Sequence, residues 1–430
     1  MKKYLRHSLT FSMLATCVMQ THAEWVYSKD GFSIKPTAEL TYGMFYSDKS
    51  YNNPESETHK YWHEIYAKYG FKSTYDFSNA SLYAHLIGIS SATMGDGDAG
   101  GFTTGHEHKT SVDEWLIGYK NTASDKQDAT LDISIGRQKV IIGDGFLVAG
   151  DALNLGKGIA DELNRGGGYY LAARRSFDFT TVINYTPVTG LNTRWMYLES
   201  DNKAQYQPKL WATDWQYTFA DNDIGLTYLQ ITDVDDPANE TDRKNLKDIA
   251  ARGKTKINEQ LGVAAEFVYQ DKKHDNENAW YVGVNYTFDQ LKYKPTLGYR
   301  FSSFSENYDS LFYGNTDAGF GTWFQGEVAG NYAGPFNSNA RIHQVSLQAS
   351  VKENLHLGLL AYKFDTIKKT YENLDGHEVD VFAVWSPTQN INVIPLIGFY
   401  KPKNDIYHLG TQVPNDKTNT YGQLILQYLY

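Results

Sequence analysis

The stretch ISIGRQKVIIGDGFLVAGDALNLG, residues 133–156, sets one arginine and two aspartates among five glycines. Nearby, RGGGYYLAARRSFDF (165–179) supplies Arg174. A guanidinium such as that of Arg137 can clamp a carboxylate or a pair of sugar hydroxyls through two parallel N–H···O bonds. Gly143-Asp144-Gly145 and Asp151 offer a second role for the same group, as partners through which Arg137 fixes loop 140–167. Both roles stand open on the sequence.

Other chemistries find little support. His106 and His108 in GHEHK have the spacing of a two-ligand metal site, but the segment reads better as a solvated loop. GDGDAGG (95–101) and TDVDDPANETD (232–242) carry carboxylates without the spacing of an EF-hand. NRGGGYY has no Gly-Lys-Ser/Thr to cradle phosphate. No Gly-x-Ser-x-Gly elbow and no His/Ser/Asp set appears, so no catalytic or cofactor site is assigned.

The elements that position these residues repeat with a period of two. IKPTAELTYGMFY places Ile34, Ala38, Leu40, Tyr42, Met44 and Tyr46 on one face, against Lys35, Thr37, Glu39 and Thr41. YWHEIYAKYGFKSTY, QLGVAAEFVYQ, WYVGVNYTF, YKPTLGYRF, VDVFAVW and INVIPLIGF repeat the pattern. Such alternation describes strands with one apolar face. From Ile34 to Tyr430 there is room for about eighteen strands of ~9–13 residues. Connections alternate between short (76–79, 288–290, 352–354, 387–389) and long (47–60, 92–110, 140–167, 303–338, 401–416). The polar stretch 233–257 falls on the short-turn side of this count, unless a strand is miscounted near 187–232. Within it DRKNLKDIAARGK has weakly helical spacing.

Composition narrows the class. The chain has 33 Tyr, 21 Phe and 9 Trp, yet its mean hydropathy is −0.51. A polar average with a heavy aromatic load suits a transmembrane β-barrel, whose lumen is wet and whose girdles are aromatic. A soluble sandwich of this length would need a linker at which to divide, and none is visible. Lys2, Lys3, Arg6, the apolar SLTFSMLATCVMQ and THA read as a secretory leader, residues 1–23, ahead of a barrel spanning 24–430. A lipobox reading of Leu14-Ala15-Thr16-Cys17 fits less well, because Thr16 precedes the cysteine. Loss of the leader removes the only Cys and moves the net charge from −10 to −13, which excludes a nucleic-acid partner.

Phase then separates lipid from lumen. The inward basic set is Lys35, Lys68, Lys72, Lys120, Arg174, Arg194, Lys294 and Arg300. The inward acids are Glu39, Glu64, Glu114, Asp132, Asp214, Glu266 and Asp380. These are candidates for pore lining and selectivity. Arg137 falls in phase with Leu131, Ile133 and Ile135, so it faces lipid unless it sits at the rim or a bulge at Gly136 turns it inward. The closing YGQLILQYLY puts Tyr428, Leu426 and Leu424 toward lipid.

Gly136-Arg137-Gln138 and Gly143-Asp144-Gly145, with the strand count and the terminal aromatic, resemble the alginate-export family of outer-membrane barrels. That resemblance implies passive passage of a polysaccharide or small solute across a Gram-negative outer membrane. It also implies contact with the lipid bilayer and lipopolysaccharide, and with the barrel-assembly machinery through the last strand. The alternatives are a general or substrate-specific nutrient porin and, less favoured, an outer-membrane barrel enzyme.

Overall fold

The computed structural model describes residues 27–430 except 57, 122–128, 239–240 and 315–324. The leader, residues 1–23 with Cys17, lies outside the described residues. Eighteen antiparallel strands close into a barrel, and the short strand Tyr27–Lys29 folds back on the first of them. They are β1 (Phe32–Ser47), β2 (Lys60–Phe77), β3 (Ala80–Gly95), β4 (His108–Asn121), β5 (Thr130–Gln138) and β6 (Phe177–Val188). Next come β7 (Leu191–Glu199), β8 (Lys209–Phe219), β9 (Asn222–Asp233), β10 (Lys247–Lys256), β11 (Leu261–Asp271) and β12 (Asn276–Thr287). The last six are β13 (Thr296–Phe304), β14 (Ala340–Lys352), β15 (Leu355–Thr366), β16 (Gly376–Thr388), β17 (Ile391–Pro402) and β18 (Asn419–Leu429).

Each strand pairs with its sequence neighbours, and β18 pairs with β1 from Glu39↔Leu429 to Ser47↔Tyr421. Every ladder is thereby satisfied without an edge, which is the condition for a sheet in hydrocarbon. The face expected to meet lipid is the outer one: Phe71, Leu86, Ile117, Leu226, Val282, Val381, Leu426 and Tyr428 all point out and are exposed. The inner face carries the charges.

The long connections emerge at one end, together with the short turn 272–275, and the other end carries mostly tight turns, with the connection 288–295 among the longer ones. Residues 234–246, placed on the short-turn side by the sequence, belong to the long-loop end. The stretch 233–257, read as one connection, contains strand β10, and the missed strand shifts the parity. The segment with helical spacing is strand β10: paired on both sides, Ile249 faces out and Ala250 in. Tertiary pairing has overridden a weak local preference.

Two of the register shifts in the sheet bear on the charged candidates. Between Ile87↔Glu114 and Gly88↔Val112 the register slips by one, so Asp113 and Glu114 both turn inward while Val112 and Trp115 stay out. At Gly136 (φ 136°) the partner register skips again, and Arg137 follows the glycine to the inside. A Cβ at Gly136 would lie 2.2 Å from the Trp115 carbonyl oxygen, so only glycine serves.

Two long loops fold into the lumen and make the packed interior. Phe45 and Trp62 on the wall stack at 5.2 Å and meet Tyr170 and Tyr332 from the loops, with Tyr421 of β18 completing the group. Aromatic contacts of this kind add about 0.5–1.5 kcal/mol per pair beyond area burial. A second group, Phe146, Phe304, Tyr281 and Tyr313, holds the opposite side.

The lipid-facing assignment predicts that Val381→Arg, at the middle of an outward row, destabilises the folded barrel by about 2–4 kcal/mol. Equilibrium unfolding in lipid vesicles measures this, and Lys72→Arg on the lumen side is the near-neutral comparison.

Candidate functional site

Loop 139–176 leaves β5, crosses to the far wall and returns to β6. Its outgoing limb is held by Arg194 on β7, whose Nη1 donates to the Ile141 carbonyl at 2.6 Å. Gly143 (φ 58°) passes the Arg252 side chain so closely that a Cβ would sit 3.0 Å from it. Asp144 accepts from the Tyr281 hydroxyl at 2.9 Å and lies 3.8 Å from Arg300. The Arg300 guanidinium itself lies 3.5 Å over the Tyr281 ring.

The returning limb is pinned to the near wall. Glu64, fully buried on β2, accepts the backbone N–H groups of Tyr170 at 3.1 Å and Leu171 at 2.9 Å. Loop 305–339 docks beside it: Glu378 on β16 accepts from Val328 and Ala329 at 2.7 and 3.0 Å. The loops are also bonded to each other through Ala149 N–H to Phe312 O (2.8 Å), Gly314 N–H to Gly145 O (3.0 Å) and Tyr169 hydroxyl to Asn331 O (2.8 Å). A buried carboxylate receiving two N–H donors is a strong clamp, because the bonds are charge-assisted.

At the turn of loop 139–176 two guanidinium and three carboxylate groups interlock. Arg137 donates to Asp178 and, at 2.9 Å, to Asp201; Arg165 donates to Asp201 at 2.8 Å and to Asp151 at 3.1 Å. Asp151 is fully buried and also accepts from Ser200 (2.7 Å) and Asn202 (3.0 Å). Burial pushes the Asp201 carboxyl up, but Arg165 and Arg137 outweigh it and hold the group below the usual carboxylate range.

Arg174 stands apart from this network. It is buried, and among the described residues its guanidinium makes no hydrogen bond or ion pair. Burial first, then Arg165 and Arg137, push its pKa down, and Asp201 and Asp113 offset part of that shift. Lys109 on β4 lies within electrostatic reach of all three arginines, and Lys139, Arg175 and Lys68 form a further group along the same wall. Lys68 is tied to Asp113 at 2.8 Å.

The expected site residues therefore divide. Arg137 meets Asp178 and Asp201 rather than Asp144 or Asp151. Arg174 belongs to the loop, not to a strand, because β6 begins only at Phe177. Lys294 is a correction: it sits exposed in turn 288–295 with φ 43°, outside any strand and away from the lumen wall. Asp214 is held by Arg252 at 2.8 and 2.9 Å, and Glu266 is buried beside them on β11. Asp132 accepts from Tyr83 at 2.5 Å. Lys72 stays half-buried on β2, below Lys68. Gly145 contributes its carbonyl to loop 305–339, and Asp151 binds Arg165.

Arg165, Asp178, Asp201, Arg252 and Glu327 were not anticipated. The first three lie in or beside irregular loops, where strand phase gives no direction, and Arg252 lay in the segment read as helical. Among the described residues no group of three or more His, Cys, Asp or Glu could hold a metal ion.

No family model matches the sequence, and no curated protein does. Solved structures match in fold. A BenF-like porin from Pseudomonas fluorescens superposes with a TM-score of 0.62 at 11% identity, over 92% of this chain and 98% of that one. OpdQ of Pseudomonas aeruginosa gives 0.58 at 14% identity, over 92% and 97%. The outer membrane protein OpdK of the same organism gives 0.58 at 11%, over 92% and 98%. This chain is an outer-membrane β-barrel of a Gram-negative cell. The matching structures are porins, and the likeness to alginate exporters goes no further than the barrel class. The long-loop end is accordingly the extracellular one.

Glu327 in loop 305–339 accepts from Tyr170 at 2.5 Å and faces Glu378, Asp380, Tyr362 and Tyr421 from the wall. Burial pushes its carboxyl up to about 8. A raised carboxyl stabilises the inserted loops below its ordinary value, and that contribution is lost as pH rises through about 8. Single-channel current is therefore expected to become noisier or larger above pH 8, and Glu327→Gln to flatten the profile.

Proposed function

We propose that this barrel is a substrate-selective channel for small solutes bearing a carboxylate or similar anionic group, admitted by passive diffusion. The observation that supports this most directly is the buried Arg174 guanidinium, which lies beside Arg137 and Arg165 and, among the described residues, has Asp201 and Asp113 within electrostatic reach but no carboxylate in direct contact. A buried cation is costly unless an anion meets it, and a passing carboxylate is the natural partner. Lys109 within reach of it, and Lys139 with Arg175 along the same wall, add to the positive potential, which concentrates anions in a narrow passage, while Lys68 is paired with Asp113.

Passage of a polymer, the reading drawn from the alginate-export resemblance, finds less support. A polysaccharide needs a lumen clear from end to end, whereas loops 139–176 and 305–339 are clamped to both walls by Glu64, Glu378, Arg194 and Asp144. Selection among small molecules suits such a constriction better than free export of a chain. The porin structures that match in fold are consistent with this preference for the nutrient-porin reading.

Planar-bilayer recordings with the refolded protein test the proposal. The wild type should prefer chloride to potassium and be blocked by a small dicarboxylate. Arg174→Gln should raise the half-blocking concentration by roughly tenfold, the cost of one lost charge-assisted hydrogen bond. An unchanged block with an intact barrel would sink the assignment of Arg174, and cation preference would sink the anionic solute class.

A further inference from the structure

The outer surface carries a charge pattern unrelated to the lumen. Cross-strand partners on the outward face form rows at a common depth. On β13 to β17 one row runs Phe301, His343, Lys363, His377, Lys401, each residue directly opposite the next. The row two residues toward the short-turn end is Tyr299, Val345, Ala361, Val379, Phe399, entirely aromatic or apolar. Arg341 lies two residues above His343, also exposed, and has no ion-pair partner among the described residues.

Depth follows from counting. Below His377 the outward positions of β16 are Val379, Val381, Ala383 and Trp385, about 27 Å of strand at ~3.4 Å per residue. With the usual tilt that is roughly 20 Å of membrane, close to the ~25 Å apolar band of such barrels. The basic row thus caps the apolar band at the extracellular edge, where the headgroups of the outer leaflet lie. Lys363 reaches Asp365 at 2.6 Å and Lys401 lies 3.8 Å from Asp416; both acids lie beyond the row, away from the apolar band. Their ammonium groups therefore reach away from the apolar band, toward the interface. His343 is braced by the Tyr299 hydroxyl at 2.8 Å and by the Phe301 ring.

The rest of that edge differs. On β7 to β11 acids stand in the same row as the lysines, Lys209 opposite Glu199 and Asp233 and Lys247 opposite Asp271. The row from His343 to Lys401 holds no acid, and Asp365 stands one row above it, opposite Arg341. Among the described residues, the β14–β17 arc is the one that sets a run of cations and imidazoles in one row directly above hydrocarbon.

We infer that this arc, Arg341, His343, Lys363, His377 and Lys401, is a docking site for the phosphorylated headgroup of an outer-leaflet glycolipid. The chemistry is complementary on both levels. Phosphate oxygens meet Arg and Lys donors at the interface, and acyl chains lie on Val345, Ala361, Val379 and Phe399 immediately below. The site is independent of what the channel carries.

The test is native mass spectrometry of the full barrel in detergent, titrated with lipid A carrying both phosphates or with the same lipid dephosphorylated. Heat-dependent gel mobility reports that each variant is folded. The wild type should bind the phosphorylated form at a roughly tenfold lower concentration. The combination Arg341→Gln, Lys363→Gln, His377→Gln and Lys401→Gln should erase that preference, while Lys209→Gln with Lys247→Gln on the other arc should keep it. If the fourfold variant does not fold, Lys363→Gln and Lys401→Gln singly should each reduce the preference. The inference is overturned if the wild type shows no preference for phosphate or if both arcs lose it equally. It is also overturned if the fourfold variant loses only a dimer of this chain, since the arc would then be a subunit contact.

Discussion

Hydrocarbon offers no hydrogen bonds, so each backbone N–H and C=O of a spanning strand must find a partner in the protein. The pairing of β18 with β1 meets that requirement for the whole sheet, because it removes the two edges that eighteen strands in a row would otherwise expose. Everything else is arranged around the closed wall. Side chains alternate between lipid and lumen, apolar residues take the outside, and charged groups are gathered within, where water or a protein partner can meet them.

Closure also creates a difficulty, since a barrel of this width encloses more space than its inward side chains fill. Loops 139–176 and 305–339 occupy it. They are irregular backbone at membrane depth, tolerated because they are buried in protein and because wall carboxylates satisfy their N–H groups. Glu64 serves Tyr170 and Leu171, and Glu378 serves Val328 and Ala329. Several acids that phase alone would count as selectivity residues are thus anchors. The arginines divide the same way: Arg194 and Arg252 hold structure, Arg137 and Arg165 are neutralised by Asp201, Asp178 and Asp151, and Arg174 is the one proposed to meet a solute.

The outside and inside of one strand can therefore serve different partners. On β16, Glu378 faces in to fix a loop while its neighbour His377 faces out. A two-residue period makes such double use economical, since adjacent residues never share a face unless a bulge intervenes.

The alternation of Leu424, Leu426 and Tyr428 against Gln423 and Gln427, repeated along the chain, was enough to determine the barrel, its strand number and the direction in which most side chains point. Period-two patterning is local, and local patterns are legible in sequence. Three things were not. The bulge that turns Arg137 inward depends on partner registers across two ladders. The parity error around 234–246 arose because β10 has weak intrinsic strand character and owes its form to β9 and β11. The roles of the charged residues depend on which loop atoms reach them across the lumen, contacts between Glu64 and Leu171 or between Arg165 and Asp201 that join residues tens of positions apart. A sequence specifies a strand's faces through its own side chains, but what meets those faces is decided only when the distant segments are brought together.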